Sequence, residues 1–263
     1  MIGERYHYEI GYITNTGNVR QNNQDSLLIR RGSIEKIEIA LLAVADGMGG
    51  LSHGEQASSL AVHMLDRWWT EQLPLLLEAG FDWTALRNSL SVTIDQINYA
   101  LYAQVSGGGE KSGTTLTLLF LFEKRYLLLQ VGDSRAYYLK ENEMTQLTKD
   151  QTWCRREIEE GRLTENEANA HPMRHMLLST LGVTADYTLD VYEGKVGMSD
   201  GILLCSDGFY SKMPSDWNAL FRKGFPVQDI LEQTAARILS GTADDNLTGI
   251  LVRRETNAHK KSI

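Results

Sequence analysis

The stretch from residue 114 to residue 147 constrains the fold more than any other part of the chain. It is predicted to contain four short apolar strands joined by short polar turns, at 114–122, 126–132, 135–140 and 143–147. Strands that follow one another so closely pair as antiparallel hairpins, because a parallel pair needs a long crossover connection. The sequence therefore favours antiparallel sheets over βαβ units.

Two helices precede this series of strands. Apolar residues recur at spacings of three and four from Ala57 to Trp68 and again from Leu86 to Val105, which is typical of one face of a helix. We interpret both faces as core packing. Other strands are predicted at 8–14, 25–31, 37–45, 187–194, 201–205 and Leu247–Arg253, and other helices at about 214–222 and 226–240.

The order of these elements predicts an α+β fold with antiparallel sheets and helices on the outside. No linker or repeat divides the chain, so residues 1–263 are predicted to form one domain. Residues 148–175 are polar and are predicted to be an exposed insertion that forms a flap. The tail, about 255–263, is predicted to be frayed.

Composition excludes some classes of function. The formal net charge of −8 argues against nucleic acid as the main partner. Cys154 and Cys205 form no C-x-x-C pair, which argues against structural zinc and fits a reducing compartment. The N-terminus has no apolar signal segment, and the apolar run 116–122 is too short to span a bilayer. We therefore expect a cytoplasmic protein that is not bound to a membrane.

Five aspartates lie where predicted strands begin or end: Asp25, Asp46, Asp133, Asp207 and Asp245. Any one of them alone is more often a turn or cap residue. Since strands pack side by side, the five can meet at one rim, where their charges would repel one another. Divalent cations make such a cluster tolerable, and oxygen ligands without a histidine or cysteine pattern suit Mg²⁺ or Mn²⁺. We regard His171 and His175 as poor candidates for metal ligands.

Two further residues fit phosphate chemistry. Gly47 follows Asp46, and a residue without a side chain lets its carbonyl oxygen approach a cation, although a plain glycine turn explains it equally well. Arg20 offers two parallel donors to phosphate oxygens, although alone it would be a solvated surface charge. Two metal ions can activate a bridging water and clamp a phosphoryl group. This fits the absence of a serine or cysteine nucleophile motif.

Six segments resemble, in order, those of the metal-dependent protein phosphatases, the protein phosphatase 2C family, in its stand-alone bacterial form. They are GNVRQNNQDS at 17–26, VADGMGG at 44–50, SGTT at 112–115, VGDSRAY at 131–137, LLCSDG at 203–208 and DDNLT at 244–248. The resemblance covers roughly residues 8–253 and extends to the flap. It implies a four-layer α-β-β-α sandwich of two antiparallel sheets flanked by helices, with the metal ions at one edge.

The resemblance also implies roles for single residues. Asp46 would bridge two metal ions, Gly47 would bind one through its carbonyl, and Asp207 and Asp245 would complete the core site. Asp133 would join Asp207 at a third metal site. Arg20 would bind phosphate, and Asp25 would be the aspartate of the acidic pair that follows it.

Two positions depart from the common family pattern. Gln24 stands where many members carry an acidic residue, and Met48 stands where many eukaryotic members have a histidine that could protonate the leaving group. Some bacterial members are similar at the position of Gln24, and bacterial members often carry a methionine at the position of Met48.

The resemblance implies hydrolysis of phosphoserine and phosphothreonine in proteins, opposing a serine/threonine protein kinase. The alternative is a pseudo-phosphatase that binds phosphoproteins or a partner without turnover. A further alternative, nucleotide binding through SGGGEKSG, has only a loose resemblance to a P-loop, and a flexible loop is the better interpretation.

Overall fold

The computed structural model describes residues 6–49, 53–106, 111–141, 143–217, 221 and 225–256. The strands are β1 (Tyr6–Asn15), β2 (Asp25–Ile34), β3 (Ile37–Gly49), β4 (Ser112–Thr114), β5 (Leu116–Phe122), β6 (Arg125–Val131), β7 (Arg135–Lys140), β8 (Glu143–Gln146), β9 (Asp190–Lys195), β10 (Gly201–Cys205) and β11 (Leu247–Thr256). The helices are α1 (His53–Glu71), α2 (Leu73–Glu78), α3 (Trp83–Ser106), α4 (Trp153–Glu159), α5 (Glu165–Ala170), α6 (Asp207–Tyr210) and α7 (Val227–Leu239).

These strands form two antiparallel sheets. The first has the order β1-β11-β10-β7-β8, and the second has the order β2-β3-β5-β6-β9, with β4 paired to the end of β3. The hairpins β5–β6 and β7–β8 confirm the antiparallel pairing predicted from the short turns between these strands.

The layers follow from the apolar strands at the centre of each sheet. In β3, Leu41 and Ala43 face one apolar cluster with the helices α1 to α3, whereas Leu42 and Val44 face another between the two sheets. Alternate side chains point to opposite faces of a strand, so a strand buried on both faces needs an unbroken apolar run. A third cluster lies between the first sheet and α7; it includes Leu203, Leu251, Ile230 and Leu231. The predicted α-β-β-α sandwich is confirmed.

The region after Asp46 differs from the sequence-based expectation. The sequence predicted a strand at 37–45 that ends before the glycines, but β3 continues to Gly49, and Gly47 to Gly49 pair with β4. The glycines favoured a turn because they tolerate many backbone conformations. Pairing with a strand some 65 residues later overrides that local preference, as the register Gly47↔Thr114 shows.

The polar segment 148–175 contains two short helices, α4 and α5. The Thr152 hydroxyl accepts from Arg155 N at 3.2 Å and caps α4, and a capping box of Thr164 and Glu167 begins α5. The far end of this flap returns to its start, because Trp153 N donates to Met176 O at 2.8 Å. Its base is thus closed by backbone hydrogen bonds.

The ends of several predicted elements fall on different residues or outside the described part of the chain. Glu255 and Thr256, predicted to be frayed, lie in β11 opposite His7 and Tyr6, and residues 257–263 lie outside the described residues. Residues 218–220 and 222 of the predicted helix at 214–222 also lie outside the described residues, as do residues 107–110 of the glycine-rich stretch. Within the described ranges, no helix is both long and apolar enough to cross a membrane.

Candidate active site

The two sheets meet at one edge, where Asp25 and Asp46 lie opposite each other in the β2–β3 register. Ser206, just after β10 of the other sheet, donates its hydroxyl hydrogen bond to Asp25 Oδ2 at 2.8 Å. This bond ties the rims of the two sheets together and brings the next residue, Asp207, to the same place.

The five aspartates are close enough to oppose one another's ionisation. Burial raises the pKa of Asp46 well above its ordinary value, and the negative charges of the other four raise it further. Burial likewise raises the pKa of Asp25 to about 6 and that of Asp133 to about 8. The pKa of Asp207 is raised by burial and then by the charge of Asp245. The structure therefore brings together all five aspartates that the sequence singled out.

The backbone of Asp46 is held by the SGTT segment, which in turn contacts the GDSR segment. Thr115 N and Thr114 Oγ1 donate to Asp46 O at 2.9 and 3.0 Å, and Asp46 N donates to Thr115 Oγ1 at 3.0 Å. The Thr115 hydroxyl also lies 2.9 Å from the Ser134 hydroxyl, next to Asp133. The threonines of SGTT and the serine of GDSR thus fix the aspartate between them.

Gly47 is required by packing. A Cβ built at this position would lie 2.1 Å from Gly54 O and 2.6 Å from Gln24 O, closer than non-bonded atoms approach. The first turn of α1 can therefore come up against β3 only if residue 47 has no side chain. This packing requirement is a different reason from either interpretation of the sequence.

Arg20 lies on the loop between β1 and β2, at the mouth of the acidic cluster. Its Nη2 donates to Asp245 Oδ2 at 2.8 Å, and its side chain is 50% exposed. Its positive charge also acts on Asp207 and Asp46. Arg20 is therefore the cation placed to meet an anion that approaches the aspartates from solvent.

Asn246 organises this loop. Its side-chain oxygen accepts from Gln24 N at 2.8 Å, and its amide group donates to Thr16 O at 2.9 Å and to Asn22 O at 3.0 Å. The buried side chain of Asn246 thus binds both ends of the loop that carries Arg20. Because Asn246 follows Asp245, these bonds hold the loop next to Asp245.

A comparison with known protein families decides the identification. The family model described as protein phosphatase 2C matches residues 17–251 of the chain. The chain belongs to the protein phosphatase 2C family. The resemblance found in the sequence, and with it the prediction of a phosphoprotein phosphatase, is confirmed.

Named relatives of this phosphatase are bacterial. It is 30% identical to the serine/threonine phosphatase stp of Listeria innocua over 246 residues, which cover 92% of this chain and 94% of the relative. It is 36% identical to the serine/threonine protein phosphatase PstP of Mycobacterium tuberculosis over 239 residues, which cover 89% of this chain and 43% of PstP.

The fold is similar to the solved structures of serine/threonine phosphatases. The serine/threonine phosphatase of S. agalactiae superimposes with a TM-score of 0.84 at 26% identity, covering 94% of this chain and 99% of that one. The catalytic domain of PstP in complex with two manganese ions superimposes with a TM-score of 0.73 at 31% identity, covering 94% of this chain and 98% of that one.

The two positions where this phosphatase departs from many family members both lie at the site. Gln24 Nε2 is 3.4 Å from Gly49 O, and Met48 is 37% exposed. His175 of the flap brings its Nδ1 within 3.9 Å of Asp207 Oδ2. His171 instead accepts from Met173 N at 3.1 Å. The sequence pattern made both histidines poor candidates for metal ligands, and of the two only His175 approaches the aspartates.

The donors at this edge fit a divalent cation. Asp25 Oδ1 is buried without a hydrogen-bond partner, and the five aspartates offer carboxylate oxygens, which are the ligands that such a cation prefers. In the part of the chain that the structure describes, no three acidic, histidine or cysteine side chains already surround one point as ligands would. Asp245 is paired with Arg20 in this structure.

The P-loop alternative for SGGGEKSG finds no support at this position. In a P-loop the Lys-Ser/Thr pair opens a helix after a strand. Here Ser112 begins β4, after the helix α3.

Proposed function

We propose that this chain hydrolyses phosphoserine and phosphothreonine in proteins with the help of bound Mn²⁺ or Mg²⁺. The observation that carries the proposal is the convergence of five aspartates from both sheets on one edge, with Arg20 at its mouth. The names of the relatives support the choice of substrate, because both are serine/threonine phosphatases.

The aspartates divide into a core set and an outer set. Asp46, Asp207 and Asp245, with the carbonyl oxygen of Gly47, would hold two cations. Asp133 with Asp207 would hold a third, and Asp25 would act as the aspartate of the acidic pair. Bound cations would lower the pKa of water to make a nucleophile and would neutralise charge on the phosphoryl group.

The other residues orient the substrate and the ligands. Arg20 would hold the phosphate through two parallel N–H donors. Because Asp245 accepts from Arg20 at 2.8 Å in this structure, binding of a cation by Asp245 would free the guanidinium for the phosphate. Thr114 and Thr115 keep Asp46 fixed through its backbone, which avoids reorganisation during the reaction.

The non-catalytic alternative is less well supported, because Asp46, Asp207 and Asp245 are all present and all lie at the site. Phosphorylated proteins would be the substrates, and a serine/threonine protein kinase would be the opposing enzyme. We place this activity in the cytoplasm, since Cys154 and Cys205 are both free and buried.

The test is hydrolysis of an aryl phosphate and of a phosphopeptide panel, each with Mn²⁺, with Mg²⁺ and with chelator. Activity should require a divalent cation and should favour phosphoserine and phosphothreonine over phosphotyrosine. Full turnover by protein stripped of metal would contradict the proposed mechanism.

Neighbouring aspartates provide a matched control. Asp245→Asn should abolish hydrolysis, whereas Asp244→Asn should retain it, because the Asp244 side chain is 63% exposed and lies 3.3 Å from Lys212 Nζ. Equal losses in the two variants would show that the sequence match had assigned the wrong residue.

A further inference from the structure

Arg135 is a partly buried cation beside the acidic cluster, and the proposed function does not use it. It is the first residue of β7, two residues after Asp133, and it lies opposite Cys205 at the end of β10. Since Asp207 follows Cys205 by two residues, Arg135 stands between the two strand ends that carry Asp133 and Asp207.

The guanidinium of Arg135 contacts Tyr137 of its own strand and two other segments of the chain. Its Nε and Nη2 donate to the two oxygens of Asp150 at 2.9 and 2.6 Å, and its Nη1 donates to Tyr137 Oη at 2.9 Å. Its central carbon lies 3.8 Å from the centroid of the Tyr210 ring. Tyr210 ends the helix α6, which begins at Asp207, and Asp150 lies at the start of the flap.

The residue after Asp150 continues this connection to Asp133. Gln151 N donates to Gly132 O at 3.1 Å, and Gln151 Oε1 accepts from Gly132 N at 2.7 Å. Gly132 immediately precedes Asp133. The root of the flap is therefore bonded to the chain on both sides of Asp133, through Gly132 before it and through Arg135 after it.

A lysine could not replace these contacts. The guanidinium is planar and permanently charged, and its fork matches both oxygens of a carboxylate while its face stacks on a ring. A lysine ammonium keeps the charge but holds neither the fork nor the stacking. Arg135→Lys therefore separates the effect of geometry from the effect of charge.

We propose that Arg135 is a positioning residue that sets the spacing between Asp133 and Asp207 and fixes the root of the flap against them. It touches neither substrate nor cation. The inference rests on the proposed function, in which these two aspartates form the third cation site. We expect this site to be the weakest, because Asp207 is shared with the core set. Loss of the fork should therefore weaken that site and lower kcat, while the core cations and the KM for a small aryl phosphate change little.

The chain offers a matched control in Arg253. This arginine lies in the same sheet, at the other end of β10 in register with Gly201. Like Arg135, it pairs with a carboxylate, Glu9 at 2.6 Å, and lies over an aromatic ring, Phe221 at 5.6 Å. Arg253→Lys should cost comparable folding stability but is remote from the aspartates.

The experiment compares wild type, Arg135→Lys and Arg253→Lys by calorimetric titration with Mn²⁺, by kcat and KM as functions of Mn²⁺ concentration, and by thermal unfolding in chelator. We expect Arg135→Lys to weaken the weakest Mn²⁺ site by roughly tenfold, as loss of a residue that orients a ligand does. We expect Arg253→Lys to give the wild-type titration at a similar melting temperature. Asp150→Asn should act in the same direction as Arg135→Lys, and the double variant should be no worse than the more damaging single one.

The inference is overturned if Arg135→Lys and Asp150→Asn both titrate as wild type does, or if Arg253→Lys loses the weak site equally. Asp150→Asn decides the question if Arg135→Lys does not fold. Failure of the proposed function has a different appearance: wild type itself would bind no Mn²⁺ and hydrolyse no phosphate ester.

Discussion

Asp133→Asn should stabilise the protein without metal at pH 7.5 and should flatten the dependence of its stability on pH. The Asp133 carboxyl is 7% exposed, and burial, followed by the charge of Asp207, raises its pKa to about 8. An unfolded aspartate has a pKa of about 3.9. Between these values the folded state holds a proton that the unfolded state has lost. The protonated Asp133 carboxyl therefore makes its full contribution to the free energy of unfolding below about pH 3.9, and this contribution is lost as the pH rises towards 8.

The size of the effect follows from the slope of the unfolding free energy against pH. One proton of difference between the folded and unfolded states corresponds to about 1.4 kcal/mol per pH unit. From pH 6 to pH 7 the wild type should therefore lose about 1.4 kcal/mol through Asp133, which is roughly 3 °C in Tm for a chain of this size. The asparagine variant lacks this loss, so its unfolding free energy should fall less steeply by that amount.

The assay is urea unfolding in chelator at pH 5.5, 6.5 and 7.5 for wild type, Asp133→Asn and Asp244→Asn. Asp244 is the control, because a backbone hydrogen bond lowers its pKa and it therefore does not titrate in this window. Mn²⁺ should stabilise the wild type more than Asp133→Asn. Parallel pH profiles for wild type and Asp133→Asn would refute the reasoning, since Asp133 would then be ionised at no cost in the folded protein.

Three other substitutions test separate parts of the site. Asp46→Asn should abolish turnover, yet the protein without metal should be no less stable, because one repelling charge is removed. Mn²⁺ should raise the Tm of this variant less than that of wild type. An equal rise in Tm would exclude Asp46 from the core site. Arg20→Lys should lower kcat/KM by about tenfold to a hundredfold and weaken inhibition by free phosphate, because the planar fork is lost; wild-type values for both would make Arg20 a solvated surface charge. Asn246→Ala removes three side-chain hydrogen bonds and should lower the free energy of unfolding in urea by roughly 2–4 kcal/mol while raising KM. The control is Asn18→Ala, whose contacts in the same loop are exposed, and it should lower the free energy of unfolding by about 1 kcal/mol or less.

The five candidate aspartates could be singled out from the sequence, because each stands where a predicted strand begins or ends. Asp46, Asp133 and Asp207 each come within two residues of the end of an apolar run. In the structure these runs lie in β3 and β6 of one sheet and in β10 of the other. The residues that position them could not be found in this way. Thr115, Arg135 and Asn246 act on segments far away in sequence, through bonds that no local pattern encodes.

The sequence by itself determined the antiparallel sheets and the set of five aspartates, since both follow from local periodicity and short turns. Only the tertiary structure decided that the segment after Asp46 is a strand, because its partner β4 lies beyond two long helices. It alone decided that His175 approaches the aspartates while His171 does not, since the fold of the flap sets their directions. Contacts between residues distant in sequence depend on how the elements pack, and packing is settled only when the whole chain has folded.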